Sequence, residues 1–459
     1  MEQITKPHCG ARLDRLPDCR WHSSMFAIVA FGLLVCWSNA VGGLILAQLK
    51  ALGWTDNSTT ATFSAITTAG MFLGALVGGI IGDKTGRRNA FILYEAIHIA
   101  SMVVGAFSPN MDFLIACRFV MGVGLGALLV TLFAGFTEYM PGRNRGTWSS
   151  RVSFIGNWSY PLCSLIAMGL TLLISAEWNW RVQLLIPAIL SLIATALAWR
   201  YFPESPRWLE SRGRYQEAEK VMRSIEEGVI RQTGKPLPPV VIADDGKAPQ
   251  AVPYSALLTG VLLKRVILGS CVLIAMNVVQ YTLINWLPTI FMTQGINLKD
   301  SIVLKTMSMF GAPFGIFIAM LVMDKIPRKT MGVGLLILIA VLGYIYSLQT
   351  SMLLITLIGF FLITFVYMYV CYASAVYVPE IWPTEAKLRG SGLANAVGRI
   401  SGIAAPYAVA VLLSSYGVTG VFILLGAVSI VVAIAIATIG IETKGVSVES
   451  LSIDAVANK

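Results

Sequence analysis

The sequence predicts an all-α membrane protein: twelve transmembrane helices arranged as two six-helix bundles. Three observations predict it. Of 459 residues, 56% are hydrophobic and 13% charged, against about 25% charged in an ordinary soluble domain. The apolar residues fall into long runs, each near the ~20 residues that carry a helix across a bilayer. One set of charged motifs also occurs twice, once in each half of the chain. This composition excludes a large soluble enzyme, a disordered chain and a coiled coil. Lipid offers the backbone no hydrogen bonds, so such runs must be helices or strands of a closed barrel. Their continuous apolarity, without alternation, selects helices.

Residues 1–24 form a polar N-terminal tail with Lys6, Arg12, Arg15 and Arg20 and no early apolar core, so no cleavable signal peptide is expected. The first bundle occupies 25–201, with spans near Met25–Leu49, Ala61–Gly82, Ala90–Phe107, Asp112–Phe136, Ser150–Ile174 and Val182–Tyr201. A soluble middle loop, 202–265, comes next. Within it Glu210–Arg231 reads as a charged helix, and the Pro- and Asp-rich Lys235–Pro253 as a flexible linker. The second bundle, 266–440, holds spans near Val266–Met292, Ile302–Met323, Met331–Leu348, Leu353–Val378, Gly392–Ser415 and Val418–Ile439, and 441–459 is a C-terminal tail.

Lys and Arg set the orientation. An even number of crossings places both termini on one side, together with Lys84, Arg87, Arg88, Arg143, Arg145, Lys325, Arg328, Lys329, Lys387 and Arg389. The opposite loops offer Lys50, Lys299 and Lys305. Both termini and the middle loop are therefore expected in the cytoplasm, in a multi-pass plasma-membrane protein (the inner membrane, in a bacterium). The same asymmetry accounts for the net charge of +10 without nucleic acid. None of the seven cysteines forms a CxxC pair and five lie inside apolar runs. They read as small apolar side chains, with neither a metal site nor a disulfide framework expected.

The halves repeat. Gly82-Asp83-Lys84-Thr85-Gly86-Arg87-Arg88 comes after the second span, and Met323-Asp324-Lys325-Ile326-Pro327-Arg328-Lys329 after the eighth. Glu138-x-x-Pro141 with Arg145-Gly146 comes after the fourth, and Glu380-x-x-Pro383 with Arg389-Gly390 after the tenth. The separations are 241 residues for the Asp pair, 242 for the Glu pair and 244 for the Arg pair. A near-constant offset points to a duplicated six-helix unit, an architecture of secondary transporters.

At these residues the chain resembles the major facilitator superfamily. Gly82-Asp83-x-x-Gly86-Arg87-Arg88 matches its loop 2–3 signature. Within the superfamily it is similar to the sugar-porter and metabolite:proton symporter branch. The matching residues are Arg118-Phe-Val-Met-Gly122-x-Gly124-x-Gly126, Pro203-Glu204-Ser205-Pro206-Arg207-Trp208-Leu209 and Pro379-Glu380-Ile-Trp-Pro383-Thr384-Glu385. Gly398-Arg399-Ile-Ser-Gly402-Ile-Ala-Ala-Pro406 is closer to niacin-type carriers. The resemblance implies a gating role for Asp83, Arg87, Arg88, Glu138, Arg145, Glu204, Asp324, Arg328, Glu380 and Arg389. Ion pairs among such residues would bias which face is open, and a network could supply the few kcal/mol needed where one exposed pair gives about 0–1 kcal/mol.

Ionisable groups inside the membrane are costly and functional by default. The candidates are Glu95, His98, Arg118 and Arg399, with Arg151 a further one. At 1.5 Å per residue, Arg118 lies at a depth similar to Ser38 and Asn39 on the first span, whereas Glu95 and His98 lie roughly 9–14 Å from the cytoplasmic face. Proton-coupled sugar porters carry an Asp on helix 1 facing the helix 4 Arg. Here Val35-Cys36-Trp37-Ser38-Asn39-Ala40-Val41 has no acid. Coupling would then use Glu95 or His98, or Arg118 would pair with an anionic substrate. The expected substrate-binding set is Asn39, Arg118, Asn157, Gln280, Asn285, Trp286, Tyr372 and Arg399, whose amides, rings and cations suit hydroxyls, sugar faces and carboxylates. Pro161, Pro313 and Pro406 permit kinks.

Gly122-x-Gly124-x-Gly126 lies inside an apolar helix with no preceding strand, so it is no nucleotide loop. Walker, HExxH and GxSxG motifs are absent from the sequence. The expectation is a secondary active transporter and not an enzyme, with no cofactor and no metal. It would move a sugar or sugar acid between the halves by alternating access, with proton symport as the energy source that the family resemblance implies, as a monomer whose partners are solute, protons and lipid. The alternatives are a carrier of an organic carboxylate such as an aromatic acid, an uncoupled facilitator, and a non-transporting membrane sensor.

Overall fold

The structure is a computed structural model that describes residues 7–17, 19–140, 145–240, 253–323, 325–383 and 386–444. Among these every regular element is helical. In chain order they are α1 (Cys9–Asp14), α2 (Arg20–Val35), α3 (Gly42–Ala51), α4 (Asn57–Thr85), α5 (Arg87–Ala106), α6 (Met111–Tyr139) and α7 (Arg145–Asn157). They continue as α8 (Ser159–Leu173), α9 (Ala176–Tyr201), α10 (Pro206–Ser211), α11 (Tyr215–Thr233), α12 (Tyr254–Leu257) and α13 (Gly260–Thr293). The last are α14 (Leu298–Met309), α15 (Gly311–Val322), α16 (Arg328–Ser347), α17 (Met352–Cys371), a π-helical turn Tyr372–Tyr377, α18 (Val378–Glu380) and α19 (Lys387–Ile439). Among the described residues nine stretches are long and apolar enough to cross a membrane. All twelve expected spans are recovered as helix, but several are broken or merged.

The breaks have sequence causes. Proline has no N–H and leaves the carbonyl four residues earlier without its helical partner. α7 ends at Asn157, four before Pro161, and α14 ends at Met309, four before Pro313. The π-helical turn precedes Pro379. The first span starts at Arg20, earlier than expected, and is unwound over 36–41. The last two expected spans run together as α19, bent at Gly417, whose φ of 65° favours glycine.

The chain divides into two compact units. One holds Met1–Asn39, Gly70–Ser159 and Leu184–Gly246; the other holds Ala40–Ala69, Tyr160–Gln183 and Lys247–Lys459. This differs from the six-and-six division of the sequence: two segments of the first half, 40–69 and 160–183, are built into the second unit. Local packing explains it. Gly43 lets α3 approach α13 so closely that a Cβ there would lie 2.6 Å from the carbonyl oxygens of Ile284 and Asn285. Trp54 packs against Trp180 at 5.6 Å, and Asn57 donates to Ser414 at 2.9 Å.

In the first unit α4 and α6 meet along a seam of small residues. Gly70, Gly74 and Gly78 face Phe119, Val123 and Ala127, and Gly126 faces the Met71 backbone, so that a Cβ at Gly74 or Gly126 would collide with a carbonyl. The Gly122–Gly126 run is thus a packing surface of the kind that lets membrane helices approach.

The N-terminal tail is not a free appendage, and the middle segment is not an isolated one. α11 carries an apolar stripe (Ala218, Met222, Ile225, Val229) at helical spacing. That stripe is buried with Cys9, Leu13 and Leu16 of the tail and with Trp208 and Leu209 of α10. Arg12 pairs with Glu219 and, at 2.7 Å, with Glu226. Arg15 reaches Glu226 at 2.6 Å, and Asp14 pairs with Arg207 at 3.0 Å. Burial works to raise the Glu226 carboxyl, but Arg12 and Arg15 outweigh it and hold it below its usual 4.5. Glu219 is lowered in the same way, burial being overcome by Arg12 and Arg223.

Two outcomes are expected. Gly74→Leu overpacks the α4–α6 seam and lowers the thermal stability of the detergent-solubilised protein by about 1–3 kcal/mol, whereas Gly79→Ala, which meets open space, leaves it unchanged. The tail clasp depends on carboxylates whose folded pKa is depressed, so its ion-pair stability is full above pH 4.5 and is lost as pH falls below that value. Each pair contributes about 0.2–1 kcal/mol. Protection from hydrogen exchange over residues 9–16, relative to the unstructured chain at the same pH, should therefore be high at pH 7 and lower in acid, and low at both in Arg12→Ala.

Candidate functional site

The unwound segment 36–41 positions the most concentrated buried chemistry of the first unit. Arg118 on α6 is 1% exposed and donates from Nη1 to the Ser38 carbonyl at 2.7 Å and toward Met121 Sδ at 3.2 Å. Ser38 is buried, and its Oγ is hydrogen-bonded to His98 Nε2 at 2.7 Å. His98 Nδ1 lies 3.5 Å from Glu95 Oε2, one turn away on α5. The Cys36 thiol points to Glu95 Oε1 at 3.8 Å. Glu95 and His98 are both 0% exposed. The backbone of α6 reaches this cluster because position 124 is glycine: a Cβ there would stand 2.9 Å from the His98 amide nitrogen.

This corrects the sequence-derived depths. They placed Glu95 and His98 too far from Arg118 to act with it. Ser38 closes the distance, because in the unwound segment its carbonyl faces Arg118 while its hydroxyl faces His98. The result is a row of carboxylate, imidazole, hydroxyl, backbone carbonyl and guanidinium, hydrogen-bonded between His98 and Ser38 and between Ser38 and Arg118, while Glu95 Oε2 and His98 Nδ1 face each other without a hydrogen bond. Asn39, beside it, is half-buried. The thiol, carboxylate and imidazole of Cys36, Glu95 and His98 have ligand atoms within 4.8 Å of one another. That is three donors, where a closed zinc site uses four.

In the second unit the candidates scatter. Asn285 and Trp286 are buried on α13, and the Trp286 Nε1 has no hydrogen-bond partner there. Gln280 and Tyr160 face Tyr367, whose ring lies 5.3 Å from that of Tyr160 and whose buried hydroxyl is unpartnered. Arg399 is half-buried, with an Nη1 that is buried and unpartnered. Tyr372 stacks on Tyr377 at 5.0 Å and packs against Gly332, and its buried hydroxyl has no hydrogen-bond partner. Asn157, in the first unit, donates to the Ser153 carbonyl at 2.7 Å beside the end of α7.

Sequence reasoning missed Lys305, which it counted as a loop cation. α14 begins at Leu298, so Lys305 is some 10 Å into a helix. It is 1% exposed, and its Nζ lies 3.4 Å from the Ala40 carbonyl. Its signal was its place inside an apolar run, the criterion already applied to Arg118.

The repeated motifs form a network in each unit. In the first, Arg87 pairs with Asp83 at 2.7 Å and with Glu138 at 2.8 Å. Glu204 accepts the amides of Arg87 and Arg88 at 2.7 and 3.3 Å, at the N-terminus of α5 where negative charge is favoured. The Arg88 side chain donates instead to the Trp199 carbonyl at 2.5 Å, so Arg87 is the residue of the ion pair. Tyr139 donates to the Pro203 carbonyl at 2.5 Å. In the second unit Arg328 pairs with Glu380 at 3.1 Å, and Glu442 accepts the amides of Arg328 and Lys329 at 2.7 and 3.1 Å. Tyr377 donates to the Ile441 carbonyl at 3.0 Å, and Thr443 to Glu380 at 2.6 Å. Glu204 and Glu442 are 238 residues apart, as are Tyr139 and Tyr377. Glu442 was unrecognised within the expected C-terminal tail. Burial works to raise its carboxyl, and the three amides of Arg328, Lys329 and Lys444 hold it below 4.5. Arg389 lies 5.2 Å over the Tyr254 ring. Arg145 begins α7, but its side chain, like Asp324, Thr384 and Glu385, lies outside the described residues.

Known proteins resemble this chain at several levels. The Major Facilitator Superfamily profile matches residues 25–406. YdjK of Escherichia coli (strain K12), named as a metabolite transport protein, is 99% identical over 459 residues, the full length of both chains. The inner membrane metabolite transport protein YdjE of the same organism is 44% identical over 455 residues, 98% of this chain and 99% of that one. The solved structure of the E. coli xylose transporter XylE, in a partially occluded inward-open conformation, superposes with a TM-score of 0.73 at 18% identity, covering 93% of this chain and 100% of that one.

The two end networks predict matched losses. Glu204→Gln and Glu442→Gln each remove the charge that caps a helix N-terminus and should lower thermal stability by about 0.5–2 kcal/mol. Tyr377→Phe, which deletes the bonds its hydroxyl makes to the carbonyl and to the amide of Ile441, should cost about 0.5–1.5 kcal/mol for each. All three are read from melting curves of the solubilised protein.

Proposed function

The chain belongs to the major facilitator superfamily, and from that premise we propose that this metabolite transporter is a secondary active carrier of a small polar organic solute, a sugar or sugar acid, driven by proton symport through alternating access. The observation that carries the reading is the line Glu95–His98–Ser38–Arg118. The acid that sugar porters hold on helix 1 is absent here, and Glu95 with His98 takes its place. With Glu95 ionised, His98 keeps its proton on Nδ1, facing the carboxylate, and Nε2 accepts from the Ser38 hydroxyl. When the pair takes up a further proton, His98 donates from both nitrogens. Ser38 Oγ then becomes an acceptor, and its own hydrogen must turn elsewhere. Donor and acceptor thus exchange at the unwound segment whose carbonyl holds Arg118. A solute that prefers one of these states shifts the population by its differential affinity alone. In the first unit Arg118 and Asn39 would contact the solute.

The charge networks act in this proposal as gates that hold helix ends. Asp83, Arg87, Glu138 and Glu204 serve in one unit, and Arg328, Glu380 and Glu442 in the other. The basic residues argue that both termini face the cytoplasm, and the relative YdjE is named for the inner membrane. A second reading, an organic carboxylate as cargo, is favoured by the buried, unpartnered Nη1 of Arg399.

The test is transport in proteoliposomes, with a labelled solute chosen by thermal-shift screening. Glu95→Gln and His98→Gln should keep solute counterflow while losing at least tenfold of the accumulation driven by an imposed pH gradient. Arg118→Ala should abolish both. Undiminished pH-driven accumulation in both Glu95→Gln and His98→Gln would remove this assignment.

A further inference from the structure

Lys305 is a charged side chain with too few partners for its surroundings. It is 1% exposed on a membrane helix. An ammonium has three N–H donors, and here one reaches the Ala40 carbonyl at 3.4 Å, beyond the usual hydrogen-bond range. Among the described residues no carboxylate pairs with it; the group in its electrostatic range is the Cys163 thiol. A buried cation without an anion is costly, and such groups in membrane proteins mark solute paths. The surroundings supply a second, independent observation. Cys163 also lies within electrostatic range of Tyr160 and Tyr367, and the Tyr367 hydroxyl is buried without a partner. Gln280 faces the same hydroxyl. The second unit therefore places near Cys163 a spare cationic donor and a buried phenol that an amide faces.

We infer that Lys305 binds the carboxylate of the transported solute and so selects an organic acid over the neutral compound of the same skeleton. Tyr367 and Gln280 are placed to meet the hydroxyl groups of that solute. This rests on the proposed transport function and narrows its substrate class. Lys305 contributes what a neutral sugar would not need: a positive charge whose burial is compensated only when an anion is present. The sequence-derived substrate set omits it.

The experiment measures ligand-induced thermal shifts of the purified full-length protein, which need no proton gradient. The probes are matched pairs: D-gluconate with D-glucitol, D-galactonate with D-galactitol, and nicotinate with nicotinamide. A ligand that binds the folded state raises its apparent stability. Wild type should be stabilised by at least one acid and not by its neutral partner. Lys305→Gln should weaken that acid at least tenfold, while Lys305→Arg keeps it within about threefold. If no acid outperforms its neutral partner in wild type, or if a folded Lys305→Gln binds the acid as wild type does, the inference is overturned. Absence of any acid preference in wild type overturns the inference even if Lys305→Gln cannot be purified folded, and Lys305→Arg binding the acid as wild type while Arg399→Gln also does supports it. An acid-selective protein whose Glu95→Gln variant still accumulates solute on a pH gradient would sink the proton assignment and leave this one standing.

Discussion

The structure turns on a stretch of unwound backbone. Residues 36–41 lie between two helical segments of one span, in a setting where an unsatisfied carbonyl costs several kcal/mol. Such a break persists only where other groups take over the lost hydrogen bonds. Arg118 does so for Ser38 in the first unit, and Lys305 reaches toward Ala40 in the second. The division of the chain into its units falls between these residues, after Asn39. Arg118, a buried cation that would otherwise be a burden on a membrane protein, is thus tied to the local backbone, and the Ser38 side chain is left free to face His98. The buried ionisable chemistry of the first unit arises from that one departure from helix.

The second recurring solution is the capped helix end. In both units a helix begins directly after a turn that carries the repeated basic motif. In both, a glutamate from a distant segment accepts two successive amides at that start. A tyrosine from a third helix ties down the carbonyl preceding the glutamate. Such a cap satisfies orphan donors and places negative charge at the positive end of the helix dipole. Beyond the cap the units differ. After Glu204 the chain enters α10 and α11 and gathers the N-terminal helix onto them. After Glu442 come Thr443 and Lys444, which bond to Glu380 and to the Lys325 carbonyl.

Much of the candidate site was legible as composition and place. Arg118, Glu95 and His98 stood out as ionisable groups inside apolar runs, and the matching depths of Arg118 and Ser38 anticipated their contact. Tyr372 illustrates the limit: a tyrosine on an apolar helix reads the same whether it meets a solute or, as here, packs on Tyr377 and Gly332. Glu442 illustrates another. A lone glutamate past the last span carries no pattern until the amides it caps are known. Lys305 failed for a simpler reason: it lay three residues inside its expected span, Ile302–Met323, yet was counted with the loop cations.

Sequence alone determined the class of the protein: helical, membrane-spanning, duplicated and belonging to one superfamily. These properties rest on quantities that are local in the chain. They are the length of apolar runs, the absence of alternation, the spacing of a repeated motif, and prolines that remove a donor four residues downstream of a carbonyl. Tertiary structure decided which side chains act together. Ser38 joins two groups that linear depth had separated, because an unwound segment does not advance at 1.5 Å per residue. The N-terminal tail docks on α11 because an amphipathic helix outside the membrane must cover its apolar face, and the chain offers several segments that could do so. Contacts between residues some two hundred positions apart depend on how elements pack, and no local pattern encodes that.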